Sequence, residues 1–131
     1  MKRTLFAVSL AGALFIGTLS AHHSFSATYD QSKTVSVEGK VTQFLLRNPH
    51  SFLHVAVVGK DGKEEIWNIE WAAAGQLGGA GVNRDSLKVG DPVVITGNPA
   101  RDPADQRLRM VTVKRTSDNF SWGFRPGQTV D

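Results

Sequence analysis

The sequence predicts an all-β domain, a small five-stranded OB-like Greek-key barrel with a short helical segment between strands 3 and 4. Five segments rich in apolar and β-branched residues are separated by turn residues, as in a domain built from short strands. A stretch rich in Ala and Gly at 72–82 follows the third of these segments. The first segment is long and contains Gly39, which predicts a bulge or a sharp bend in a strand that serves both halves of the barrel. A small β-sandwich is the main alternative.

The first three strands are predicted at 33–47, 52–58 and 65–71. Large apolar side chains alternate in the second segment, which is the period of one sheet face. Asn48-Pro49 predicts a turn before the second strand, because proline fixes its own backbone and restrains the residue before it. Asp61-Gly62 predicts a tight hairpin turn between the second and third strands.

One or two helical turns are predicted at 72–77, and the fourth and fifth strands at 92–97 and 108–113. Polar loops that contain Gly and Pro separate these segments. The chain therefore divides into a signal peptide, an N-terminal arm, the barrel domain and an extended C-terminal tail, at 1–21, 22–32, 33–115 and 116–131.

The first 21 residues have the layout of a bacterial export signal. Lys2 and Arg3 precede an almost uncharged apolar run at 5–19, and Ala21 supplies a small residue for cleavage. The run is shorter than the ~20 residues of a membrane-spanning helix, so we expect no stable membrane anchor after cleavage. The predicted location is periplasmic or secreted, with a mature chain that begins at His22 or one residue earlier.

The mature chain is expected to be nearly neutral. Removing residues 1–21 lowers the count of Lys and Arg from 15 to 13, against 12 Asp and Glu. This small basic excess, together with the exported location, predicts that nucleic acid is not a partner. The chain has no cysteine, which excludes disulfides, thiolate metal sites and thiol catalysis. It has no nucleophile motif and no Gly-rich phosphate loop, so the sequence predicts no enzyme activity.

The candidate functional residues are His22, His23, His50 and Glu70. After cleavage, His22 carries a free α-amine beside its imidazole, and His23 adds a second imidazole. Amine and imidazole donors without thiolates favour copper as the metal. Pairing of strands 2 and 3 about the hairpin turn places Glu70 near His50, and the arm that carries His22 can fold over the same end of the barrel. The sequence thus predicts a metal site with copper as the cofactor.

Ordinary structural roles are the alternative for each of these residues. The two N-terminal histidines can be a solvated chain end, and His50 can be a turn residue bonded to a backbone carbonyl. Glu70 can be the ion-pair partner of Arg47 or Arg84. His54 is four residues from His50, about 13 Å along an extended strand, which is too far for the two to chelate one ion. We expect His54 to be a half-buried strand residue.

A family resemblance rests on several motifs taken together. They are His-His-Ser-Phe at 22–25, Asn-Pro-His at 48–50, Trp-Asn-Ile-Glu at 67–70, and the segments 84–91 and 97–100. With these motifs the chain resembles a family of small exported bacterial proteins classed as a domain of unknown function. The resemblance implies a periplasmic or secreted β-barrel without an established activity. The position of His54 is usually aromatic in that family, which leaves the four candidate residues as the shared polar set.

Two hypotheses for the function remain open. In the first, the protein is a periplasmic metal-binding module that uses the mature N-terminal histidine with His50 and Glu70. In the second, it is a metal-independent binding or interaction domain for a periplasmic protein or a small solute. An oxidative copper enzyme would need an open coordination position beside a substrate surface, and the sequence shows none.

Overall fold

The predicted fold class is confirmed in the computed structural model of the protein, which describes residues 24–125. The elements, in chain order, are α1 (Phe25–Thr28), β1 (Val35–Leu45), β2 (Phe52–Val58), β3 (Glu64–Glu70), α2 (Ala74–Gly79), β4 (Pro92–Pro99), β5 (Arg107–Arg115) and β6 (Ser121–Trp122). The short helix α2 lies between the third and fourth strands, as predicted. In the described range, neither helix has the length and apolar character of a bilayer-spanning segment.

Closure of the barrel depends on a parallel pairing between β3 and β5. The other pairs are antiparallel and give the strand order β3-β2-β1-β4-β5-β6. Because β3 also contacts β5, strands β1 to β5 form a closed five-stranded ring, and β6 lies outside it on β5. A single closed sheet of this kind is the OB-like barrel and rules out the β-sandwich.

The long strand β1 is shared between the two halves of the barrel. Its first half, up to Lys40, pairs with β4, and its second half pairs with β2. Gly39 lies at this change of partner, where a Cβ atom would overlap the carbonyl oxygen of Ala56. The bulge predicted at Gly39 lies further along, between Val41 and Gln43. Gly39 is therefore required by the close approach of β1 and β2 rather than by the bulge.

The barrel interior is filled by apolar side chains from alternate strand positions. Leu53 and Val55 of β2 and Ile69 of β3 are fully buried, and α2 adds Leu77 to the same core. Burying each such side chain stabilises the fold by about 1.5–3 kcal/mol. Three polar side chains in the described part of the chain are buried: Ser51, Glu70 and Thr112. The first two lie together where β2 begins and β3 ends, and the candidate site is built there.

Both ends of the described chain are tied to the barrel. The N-terminal arm contains the helical turn α1, and Tyr29 then forms an isolated bridge to Ala100 after β4. The C-terminal tail adds β6 to the edge of β5. The predicted signal peptide, His22 and His23, and residues 126–131 of the tail lie outside the described residues.

Gly39→Ala is expected to lower the free energy of unfolding by about 1–3 kcal/mol, because the added methyl group overlaps the backbone of β2. Urea unfolding followed by tryptophan fluorescence measures the change. Gly78→Ala in α2 is the matched control, since a Cβ atom there meets nothing within 4 Å. It should be neutral or stabilising by up to about 1 kcal/mol. Equal losses in the two variants would contradict the close-approach explanation.

Candidate functional site

A short turn before β2 holds His50 against the end of β3. The Ser51 hydroxyl closes this turn, because it accepts from the Arg47 N–H and donates to the Arg47 carbonyl, each at 3.2 Å. The Ser51 backbone continues the β2–β3 pairing: its N–H donates to the Ala72 carbonyl at 3.0 Å and its carbonyl accepts from the Trp71 N–H at 2.8 Å. Ser51 is fully buried, so the turn is fixed at both ends.

Glu70 is the centre of a buried polar cluster. It is the last residue of β3, and its side chain is nearly buried. One carboxylate oxygen, Oε1, lies 2.5 Å from Nδ1 of His50. The other, Oε2, accepts a hydrogen bond from the hydroxyl of Tyr29 and lies 3.8 Å from Nη2 of Arg107. Both oxygens of Glu70 are therefore engaged by groups from three separate parts of the chain.

Tyr29 acts in this cluster as a protonated donor. Its side chain is 1% exposed. Burial raises the pKa of the Tyr29 phenol well above its ordinary value, and the hydrogen bond and negative charge of Glu70 raise it further. Arg107 acts in the opposite direction and more weakly. The phenol thus keeps its proton and donates a hydrogen bond to the carboxylate.

The parallel pairing of β3 with β5 brings two arginines to the same end of the barrel. Arg107 is the register partner of Asn68, and Arg109 is the register partner of Glu70. The two arginines are two residues apart on one strand, so their side chains leave the same face of the sheet. Arg107 turns toward the Glu70 carboxylate.

The ring of Phe25 in α1 covers His50. The two rings stack with centroids 5.1 Å apart and an interplanar angle of 29°. The guanidinium carbon of Arg109 lies 3.7 Å from the centroid of the same phenylalanine ring, a cation–π distance. The N-terminal arm is thereby held at the site by an imidazole and a guanidinium together.

A cleft of about 280 Å³ opens beside this stack. Its lining includes Trp71, Trp122, Arg109, His50 and Phe25. Trp71 meets Trp122 edge to face, with centroids 5.2 Å apart and an interplanar angle of 76°. The cleft therefore has aromatic walls with one guanidinium and one imidazole at its edge.

The structure brings two of the four predicted site residues together. His50 and Glu70 are in direct contact, and His22 and His23 lie outside the described residues. Between residues 24 and 125, no group of three or more His, Cys, Asp or Glu residues is placed to hold a metal ion. His54 is a half-buried residue of β2, as expected.

The ion-pair partners proposed for Glu70 from the sequence were wrong. Neither Arg47 nor Arg84 pairs with it, and Arg107 does. The sequence also gave no sign of Arg109, because both arginines reach the site through the β3–β5 register. That register joins strands far apart in the chain, and only the closed barrel defines it. The aromatic residues of the N-terminal arm were the one local signal that the arm docks on this end of the barrel, since the short arm has no core of its own in which to bury them.

The sequence model of a family of unknown function, DUF6152, matches residues 12–123 of the chain. The resemblance drawn from the motifs is confirmed at this level, and the His-His-Ser-Phe start stays a prediction. Among curated proteins, none matches the chain.

Two solved structures are similar in fold. One is the mitochondrial single-stranded DNA-binding protein Rim1 from S. cerevisiae, with 15% sequence identity, a TM-score of 0.49, and coverage of 64% of this chain and 93% of that chain. The other is a small single-stranded DNA-binding protein from Streptomyces coelicolor, with 22% identity, a TM-score of 0.43, and coverage of 63% and 91%. The likeness is one of fold alone.

The prediction that excluded nucleic acid as a partner was wrong. The two solved structures that resemble this fold are both single-stranded DNA-binding proteins. The exclusion relied on the expected export and on net charge, and net charge sums over the whole surface. Binding to a polyanion depends instead on where the basic residues lie.

Titration of the single tyrosine tests the buried cluster, because all of the phenolate absorbance of the chain comes from Tyr29. We expect no phenolate in the folded protein at pH ~10, where an unperturbed tyrosine is half ionised. The raised pKa means that the folded state holds this proton more tightly than the unfolded chain. The free energy of unfolding should therefore fall as the pH rises above about 10, by at most ~1.4 kcal/mol per pH unit from this group.

Glu70→Gln removes the neighbouring charge and is expected to shift the phenol titration to lower pH. Glu64→Gln changes an exposed carboxylate of the same strand and is the control, with no expected shift. A phenol that titrates near pH 10 in the folded wild-type protein would contradict the buried cluster.

Proposed function

The chain belongs to DUF6152, a family of unknown function, and we propose that it is an exported periplasmic barrel domain that binds copper. In this proposal, the N-terminal histidine of the mature chain and His50 supply the ligands. The export signal at 1–21 provides the free N-terminus that the site requires.

The contact between His50 and Glu70 carries the proposal. A metal-binding histidine commonly gives one ring nitrogen to the metal and the other to a carboxylate, which fixes the ring orientation and raises its basicity. Nδ1 of His50 lies 2.5 Å from Glu70, and Nε2 has no hydrogen-bond partner within residues 24–125. Nε2 is then the metal-binding atom. Because both oxygens of Glu70 are engaged, Glu70 acts through His50 as a positioning residue rather than as a ligand.

The position of Phe25 supports a role for the N-terminus. Phe25 stacks directly on His50, and His22 is three residues earlier in the chain. Three residues of chain span at most ~11 Å, so the mature N-terminus starts within reach of the His50 ring. An α-amine and an imidazole at His22, with His23 and His50, form a donor set of nitrogen atoms, which favours Cu(II) over Mg²⁺ or Ca²⁺.

A metal-independent binding domain is the second candidate function. The cleft of about 280 Å³ beside His50 is the observation that favours it. The two functions are compatible, because none of the described residues that line the cleft is hydrogen-bonded to Nε2 of His50.

Copper binding is tested with the processed chain, its N-terminus established by mass spectrometry. Cu(II) titration by calorimetry should show one tight site, and His50→Ala should weaken binding at least about tenfold. His54→Ala is the matched control, since His54 lies in the same strand region and is not part of the cluster, and it should leave the affinity unchanged. Glu70→Gln should weaken binding by about 10- to 100-fold through the loss of second-sphere orientation.

A free His-His-Ser-Phe peptide measures the affinity of the N-terminus without the barrel. A chain with one extra residue before His22 measures the contribution of the α-amine at His22. Binding by the protein no tighter than by the peptide would overturn the assembled site. So would equal affinities of the wild type and His50→Ala, with urea unfolding used to show that the variant is folded.

A further inference from the structure

We propose that the cleft beside His50 binds a small aromatic carboxylate. This inference goes beyond copper binding and does not depend on it, because it rests on the charge and the shape of the cleft. The occupant is a planar organic anion whose ring lies against the aromatic walls and whose carboxylate meets Arg109.

The surroundings of Arg109 favour an anionic ligand. Arg109 is half-buried, yet no carboxylate in the described part of the chain lies within ion-pair distance of it. The other partly buried arginines of β5 differ: Arg107 faces Glu70 at 3.8 Å, and Arg115 is bonded to Asp91 at 2.7 Å. The guanidinium carbon of Arg109 lies over the Phe25 ring, and within residues 24–125 the N–H groups of this guanidinium donate no hydrogen bond. A carboxylate can bind a guanidinium through two parallel hydrogen bonds.

The lining of the cleft carries no negative charge of its own. Among the residues described, those around the cleft are aromatic, aliphatic, cationic or amide in character, and Glu70 is not one of them. The Glu70 carboxylate is nearly buried, and its oxygens are engaged by His50, Tyr29 and Arg107. An anion in the cleft therefore meets Arg109 without a facing carboxylate.

The walls favour a flat ligand. Trp71 and Trp122 both line the cleft, and an aromatic ring packed against either indole gains about 0.5–1.5 kcal/mol per pair beyond its buried area. The indole N–H of Trp71 is also buried and has no acceptor within residues 24–125. A buried donor without a partner costs about 1–3 kcal/mol. Trp71 lines the cleft, so a ligand bound there changes the surroundings of this N–H.

The cleft is close in size to small-molecule sites, which begin at ~300 Å³. Gln76 on α2 lies at its rim with an exposed side chain, and its amide is available to a second polar group of the ligand. A single substituted ring fits these dimensions better than a nucleotide or a peptide. The chemical class is thus an aromatic monocarboxylate.

The test uses benzoate as the probe and ¹⁵N-labelled protein in the presence of a metal chelator. We expect a saturable shift of the Trp71 indole N–H signal with benzoate, and weaker binding of benzamide, which has the same ring without the charge. Arg109→Gln should reduce benzoate affinity at least about tenfold. Arg47→Gln is the matched control, since Arg47 also packs on a phenylalanine, at 4.9 Å from Phe52, and does not line the cleft.

No saturable shift with benzoate, or benzamide binding as tightly as benzoate, would overturn the proposal on the wild-type protein alone. Equal losses in Arg109→Gln and Arg47→Gln would overturn the role of Arg109. Because the chelator removes copper, a failure of benzoate binding would not contradict the copper site. A failure of copper binding would likewise not contradict the binding of an aromatic carboxylate in the cleft.

Discussion

One buried carboxylate organises the functional end of this barrel. Removing a charge from water costs several kcal/mol unless partners replace the lost solvation. Glu70 meets this requirement with a histidine from the turn before β2, a tyrosine from the N-terminal arm and an arginine from β5. The arm, the turn and the closing strand are therefore held in place by the same group. The stack of Phe25 on His50 extends this arrangement to the surface.

Barrel closure places two neighbouring arginines at the same end of the barrel, where they have different partners. Arg107 and Arg109 leave the same face of β5, two positions apart. The first compensates the Glu70 carboxylate, and the second lies under Phe25 without a carboxylate of its own in the described range. A cation without a fixed anion next to aromatic walls is a feature of binding sites rather than of cores, because a core cation without a partner is destabilising. The copper proposal and the cleft proposal thus draw on neighbouring groups of one cluster, His50 for the metal and Arg109 for the anion.

The strands and the β2–β3 hairpin could be predicted from the sequence because their signals are local. Alternating apolar residues define β2, and the Asp61-Gly62 turn fixes the register that brings Glu70 to the start of β2. Arg107 and Arg109 could not be predicted, because their position depends on a parallel pairing between distant strands. Gly39 was recognised as special for a different reason from the real one, since a close backbone approach leaves the same sequence signal as a bulge. Net charge was a poor guide to binding partners, because it does not say where on the surface the charged residues lie.

The arm that carries Tyr29 docks on a barrel whose hydrogen-bonded ring is complete without it. Tyr29 and Glu70 are 41 residues apart in the chain, so their hydrogen bond depends on the strands that hold Glu70 in place. In the described chain the arm contacts the barrel through one isolated β-bridge at Ala100, through loop hydrogen bonds and through the side chains of Tyr29 and Phe25, and not through a strand ladder. Local opening needs less free energy where few contacts hold a segment. Amide hydrogen exchange in the arm should then be faster than in the strands, and opening of the arm alone would expose His50 while the barrel stays folded.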